Sequence, residues 1–424
     1  MMHDNKKSKN KQLMASLASQ QAEKEALSRR KFVKMAGAGL AMLTFPMNSA
    51  LAMANTSKTA HKSNVGGKQA PKIIWVVLRG ALDSLHTIVP TFDAQYAQLR
   101  PKLSKSFKSP LLTLEKGFAL HPSLGNFHQW YQEKSLLPIV AVSSGYPKRS
   151  HFDGQDFLES GKSEIDHDSG WLARAINVRN ARALAVSRST PISLRSSDQV
   201  HTWYPSKLES ADEDTLQSLQ QLYQHDDALK SNLEKAIEVK GLVDNKAKGK
   251  KNRKGKFIEL SKACATLMRE DPSLDCAMLE VGGWDTHNNQ SLRLSRKLSE
   301  LDTGLAALKA GLGNEWHNTV IIIGTEFGRT AKENGTGGTD HGTASALFLA
   351  GGAVNGGRVE GHWPGLKTRE LFKQRDLMPT SNSFAWFGSV LSQHWQFSDK
   401  EVAEVFPHMK AYNNPLVKRR DSVS

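Results

Sequence analysis

The sequence predicts an α/β fold, a three-layer α/β/α sandwich around a largely parallel central sheet. Three observations carry that expectation. Short apolar runs rich in β-branched residues, such as 73–78 and 320–323, show no alternation and read as strands buried on both faces. Segments of helical apolar spacing lie between them, and strands alternating with helices favour parallel pairing through crossovers. Each long run also stops abruptly, and carboxylates, histidines and arginines follow within a few residues. Ligands of such sheets bind outside the carboxyl ends of the strands.

The chain has 424 residues, enough for a full hydrophobic core. Its first 54 residues read as an address. Arg29 and Arg30 are followed by Phe32 and Lys34, a weakly apolar run covers 35–46, and small residues close the segment at 50–54. That is the pattern of a twin-arginine export signal. The apolar run is shorter than the roughly 20 residues a bilayer span requires. The expectation is therefore a periplasmic or secreted protein, exported by the twin-arginine machinery, with no transmembrane segment after signal removal. Residues 55–70 are a linker by composition. One domain is expected over 71–424.

The 57 basic and 42 acidic residues give a formal charge of +15. The leader holds nine basic and three acidic residues, so the remainder carries 48 and 39, a formal +9. Much of that excess lies at 240–256, the end of a polar helical insertion expected at about 206–256. No aromatic residue interleaves the lysines of that run, which argues against nucleic-acid binding. Two cysteines, Cys264 and Cys276, cannot form a disulfide framework, and separate burial is expected for them.

Along the domain the first strand, 73–78, empties into Arg79 and Asp83. Asp83 suits either a metal site or a helix N-cap. A helix to about 134 precedes a strand at 137–142, which runs out through Arg149, Ser150, His151 and Asp153 into another helix. Ser150 is either that helix's N-cap or a nucleophilic oxygen placed at a helix start. A helix at 171–178 leads to strands at 183–186 and 191–195, and a helix at 257–269 follows the insertion. The strand at 276–281 ends in Asp285 and His287, a candidate pair of metal ligands or a capped helix start. Helix 291–311 leads to the strand at 320–323. Glu326, Arg329, Asp340 and His341 then lie in a loop punctuated by glycines. A strand at 346–350 and helices at 383–394 and 399–406 complete the chain.

Several of these stretches together resemble a family of exported bacterial proteins. They are LRGALDSL (78–85), RSHFDGQDFLESG (149–161), GGWDTHNNQ (282–290), TEFGRT (325–330), NGTGGTDHG (334–342) and GGRVEGHWPGL (356–366). The family is domain of unknown function fifteen-oh-one, of the alkaline phosphatase/sulfatase superfamily. The resemblance implies an alkaline-phosphatase-like fold and a divalent metal ion (zinc, manganese, calcium or magnesium). It further implies hydrolysis of an anionic phosphate or sulfate ester, or a non-catalytic exported binding or assembly protein that keeps the fold. Asp83, Asp285, His287 and His341 would hold the metal and Ser150 would be the nucleophile. Where the superfamily strand ends in Asp-His, this chain has Glu326-Phe327, so Glu326 or Asp340 would complete the ligand set. Arg79, Arg149 and Arg329 would bind the anionic oxygens.

Overall fold

The structure is a computed structural model of the chain and describes residues 70–205 and 257–419, with a few positions between 219 and 234. The expected leader, all but the last residue of the linker, and nearly all of the lysine-rich insertion lie outside the described residues.

Eleven strands are described: β1 Lys72–Arg79, β2 Ile88–Pro90, β3 Leu112–Thr113, β4 Phe118–Leu120, β5 Leu136–Ser143, β6 Arg182–Ala185, β7 Val200–Thr202, β8 Leu274–Gly282, β9 Thr319–Gly324, β10 Ser345–Ala350 and β11 Ser381–Asn382. Eight of them form one sheet in the order β11-β5-β10-β9-β1-β8-β6-β7, and β2, β4 and β3 form a small antiparallel sheet. Every pairing of the large sheet is parallel except that β10 runs antiparallel to both β5 and β9. The fold is thus mixed α/β with a large, mostly parallel sheet, as expected.

Side chains of a strand alternate between faces, and β1 shows what that does here. Ile74, Val76 and Leu78 pack with the helices Gly125–Gln132, Phe257–Glu270 and Gln290–Leu312. Ile73, Trp75 and Val77 pack on the opposite face with Trp171–Arg179, Ser383–His394 and Asp399–Val405. All six side chains are fully buried, and burial of each aliphatic one contributes about 1.5–3 kcal/mol. Helices on both faces make the three layers. Cys264 and Cys276 are buried and unlinked.

One expected strand is corrected. Residues 191–195 form a 3-10 turn, Ile192–Leu194, behind Pro191, which has no N–H to give a ladder. The edge position beside β6 goes instead to Val200–Thr202.

Strand direction positions the site. β1, β5, β8 and β9 run the same way, so the residues after them emerge on one edge. The reversed direction of β10 brings the loop before it, which carries Asp340 and His341, onto that same edge. Among the described residues no helix is long and apolar enough to cross a membrane.

Candidate metal centre

The site is built on the close approach of two neighbouring turns. Gly80, just past β1, has φ +123°, and a Cβ there would lie 2.7 Å from the backbone N of Asp285. Only glycine tolerates both that φ and that contact. At Gly338, in the later loop, the contact alone excludes a side chain, since a Cβ would meet the carbonyl oxygen of His287 at 2.3 Å.

Glu326, fully buried, ties these turns together. Its Oε1 accepts from the N–H groups of Gly80 (2.8 Å) and Ala81 (3.1 Å), and Oε2 accepts from Thr325 Oγ1 (2.8 Å). The same Oε1 lies 2.7 Å from His151 Nδ1. His151 opens the helix His151–Ser160 and stacks on Phe327, ring centroids 5.0 Å apart.

Two further imidazoles are anchored in the same manner. His341 Nδ1 is 2.9 Å from the carbonyl oxygen of Arg149, and His287 Nδ1 is 3.3 Å from Asp340 Oδ1. Both partners accept only, so each Nδ1 carries the proton and each Nε2 is left with a lone pair. The three Nε2 atoms converge on one carboxylate oxygen. Asp285 Oδ1 lies 3.0 Å from that of His287, 3.2 Å from that of His341 and 3.4 Å from that of His151. The Nε2 atoms of His287 and His341 are 3.0 Å apart.

Lone pairs facing each other and an anionic oxygen repel unless a cation lies among them. His151 Nε2 is buried and has no hydrogen-bond partner, which fits a ligand atom better than a donor. The donor atoms of His151, Asp285 and His341 all lie within 4.8 Å of one another. Edges of about 3.0–3.4 Å are what ligands at about 2.1 Å from one ion produce. The residues present therefore fit a bound divalent ion.

The electrostatics of Asp285 and His341 agree, whereas without an ion those of His151 favour its charged form. Burial acts to raise the Asp285 carboxyl, but the bond and charge of Arg329, aided by His287 and His151, pull it down to about 2. Burial and the nearby charges of His151 and Arg329 hold His341 below its ordinary value, which keeps it a neutral ligand. His151 is raised, because the hydrogen bond and charge of Glu326 outweigh burial.

The expected site residues separate into three groups. Asp285, His287 and His341 come together. Glu326 and Asp340, expected as ligands, instead stand behind the imidazoles as acceptors. Asp83 is not brought into the cluster: it is 1% exposed, and both of its oxygens bind Arg100 Nη1, at 2.9 and 2.7 Å. Its Oδ1 also accepts from the N–H of His86, the N-cap role open to it from sequence.

Ser150 caps the helix Ser150 precedes, its Oγ accepting from the N–H of Asp153 at 3.4 Å. Of the three arginines expected to bind anions, two are engaged. Arg149 binds buried Asp376 at 2.6 Å, and Arg329 binds Asp285 at 2.6 Å and both the hydroxyl and carbonyl of Thr339. Arg79 remains part-exposed, with a loose 3.7 Å contact to Glu280. The sequence placed His151 beside Ser150 without a role of its own. Its signal was weak, since nothing local shows that the helix start faces Asp285.

Fold and site define an α/β/α protein with a histidine–carboxylate centre at the carboxyl edge of its sheet. The family model described as Protein of unknown function (DUF1501) matches residues 70–406, and the chain belongs to that family. No curated protein matches the chain. Among solved structures it is similar to Ps i-CgsB in complex with k-i-k-neocarrahexaose (12% identity, TM-score 0.39, covering 81% of this chain and 75% of that one). It is also similar to alkaline phosphatase from the Antarctic bacterium TAB5 (11%, TM-score 0.34, covering 69% and 95%). A third likeness is to the lipoteichoic acid synthase LtaP from Listeria monocytogenes (8%, TM-score 0.34, covering 69% and 66%).

Proposed function

We propose that the protein is a metal-dependent hydrolase of phosphate or sulfate esters, acting in the cell envelope after twin-arginine export. The observation that carries the metal is the convergence of three Nδ1-anchored imidazoles on Asp285 Oδ1. Asp285, His287, His341 and His151 would hold the ion. Three imidazole nitrogens and one carboxylate oxygen favour zinc or a similar transition metal over calcium and magnesium, which prefer all-oxygen shells. A bound ion supplies Lewis acidity toward an ester oxygen and favours ionisation of a nearby hydroxyl.

The chain's own groups then have defined tasks. Glu326, Asp340 and the Arg149 carbonyl orient the imidazoles. Arg329 fixes the Asp285 carboxylate. Ser150, adjacent to His151, is the candidate nucleophile once its capping bond is given up, and Arg79 is the guanidinium left to meet an anion. Purified, zinc-loaded protein is expected to release phosphate or sulfate from an aryl ester, and Asp285→Asn to abolish release. No turnover with any divalent ion would overturn the catalytic reading.

A second reading has specific support. Ser150 is used as a cap, and Arg149 and Arg329 are already paired. An exported protein that holds a metal without turnover would look the same. Ser150→Ala distinguishes the two, since it removes turnover only if Ser150 reacts.

A further inference from the structure

Asp83 and Asp285 both follow central parallel strands, yet only Asp285 faces a gathering of lone pairs. Around Asp83 the counter-charge is already covalently part of the chain. Arg100 is fully buried, and its Nη1 takes both Asp83 oxygens. Its Nε donates to the carbonyl of Ala331 (2.8 Å) and its Nη2 to the carbonyl of Thr330 (2.8 Å). Gln290 Nε2 donates to Asp83 Oδ2, and Gln290 Oε1 accepts from Thr339 Oγ1 (2.6 Å). The other carboxylates near the centre are likewise engaged. Glu326 takes four donors over its two oxygens, and Asp340 Oδ1 takes His287 and Asn334.

We propose that Arg100 is an internal cation that permanently satisfies Asp83, so that the chain holds a single metal ion, at Asp285 and the three histidines. The inference rests on the metal reading above but not on turnover. A guanidinium fixed by four hydrogen bonds in a fully buried place leaves Asp83 neither free charge nor free oxygen for a second ion. At the Asp285 centre the donor atoms of His151, Asp285 and His341 lie within 4.8 Å of one another, and three protein ligands are what a zinc site with one open position uses.

The test is a zinc titration of the full chain by calorimetry, with bound metal counted by elemental analysis. One ion per chain is expected. The double variant Asp83→Asn/Arg100→Met removes both charges together. It should still bind one ion, with a dissociation constant within about threefold of the parent's, whereas Asp285→Asn should weaken binding more than about 100-fold. Two ions in the parent, or loss of the ion from a folded double variant, overturns the proposal. If the double variant does not fold, the stoichiometry of the parent decides. One ion bound without turnover removes the hydrolase reading and leaves this inference standing, and no bound ion removes both.

Discussion

Asp83 and Asp285 are nearly the same residue by sequence and opposite ones in space. Each lies three or four positions past a buried strand, β1 or β8, and those strands pair directly. Each meets an arginine: Asp83 at 2.7 Å from Arg100, Asp285 at 2.6 Å from Arg329. Both arginines are buried, but Asp83 is itself sealed, at 1% exposure, while the side chain of Asp285 is 40% exposed and faces three imidazoles. A sealed pair acts on stability, because neither charge can be hydrated if the other is lost. An open carboxylate ringed by lone pairs acts on ligand binding.

The sharpest way to break this comparison is to remove the buried cation. Arg100→Ala leaves Asp83 charged and unpaired, and should destabilise by about 3–5 kcal/mol in urea unfolding. Arg329→Ala should be clearly milder, since Asp285 can turn to water. Equal losses would show that the two carboxylates are not different in kind.

Acid should act on the sealed side first. Burial holds His86, beside Asp83, down to about 3, and its neighbour His121 down to about 4. Both sit below the unfolded value, so the unfolded chain binds protons that the folded one refuses. Their stability is present above about pH 6.5 and falls as pH drops from there toward 4, by about 1.4 kcal/mol per unit for each histidine. Asp285, depressed to about 2, contributes above its unfolded value of 3.8 and loses that contribution only between about pH 4 and 2. Unfolding midpoints measured from pH 7 to 4.5 should fall in the parent and fall less in His86→Phe.

On the open side, Glu326→Gln keeps acceptors for Gly80 and Ala81 but removes the charge behind His151. Zinc affinity should weaken about tenfold, the lower end for groups that orient a ligand. Unchanged affinity would place His151 outside the centre. The smallest effect concerns the turn that joins the two regions. Ala81 has φ 60°, a left-handed conformation that costs about 1–2 kcal/mol outside glycine. Ala81→Gly removes that strain but raises unfolded-state entropy by about 0.4–1 kcal/mol, so stability should change by less than about 1.5 kcal/mol.

Much of this was legible in the chain. The runs at 73–78, 276–281 and 320–323 are strands because residues buried on two faces leave a nearly continuous apolar signal, β-branched in the first and last of them, and the helices from 257 and to 312 show their spacing plainly. The small antiparallel sheet left little signal, since its strands are two or three residues long. The twin-arginine export signal expected over residues 1–54 lies outside the described residues.

Local sequence determined which residue types leave the sheet edge: aspartates, histidines, a glutamate and arginines, with the glycines that let their loops approach. It did not determine which of them meet. Arg100 stands 17 positions from Asp83, Glu326 stands 175 from His151, and Asp340 stands 53 from His287. Only the packing of parallel strands, with β10 reversed among them, brings those partners into contact. A carboxylate's role is set by its nearest charge and its access to water, and both are properties of the folded chain.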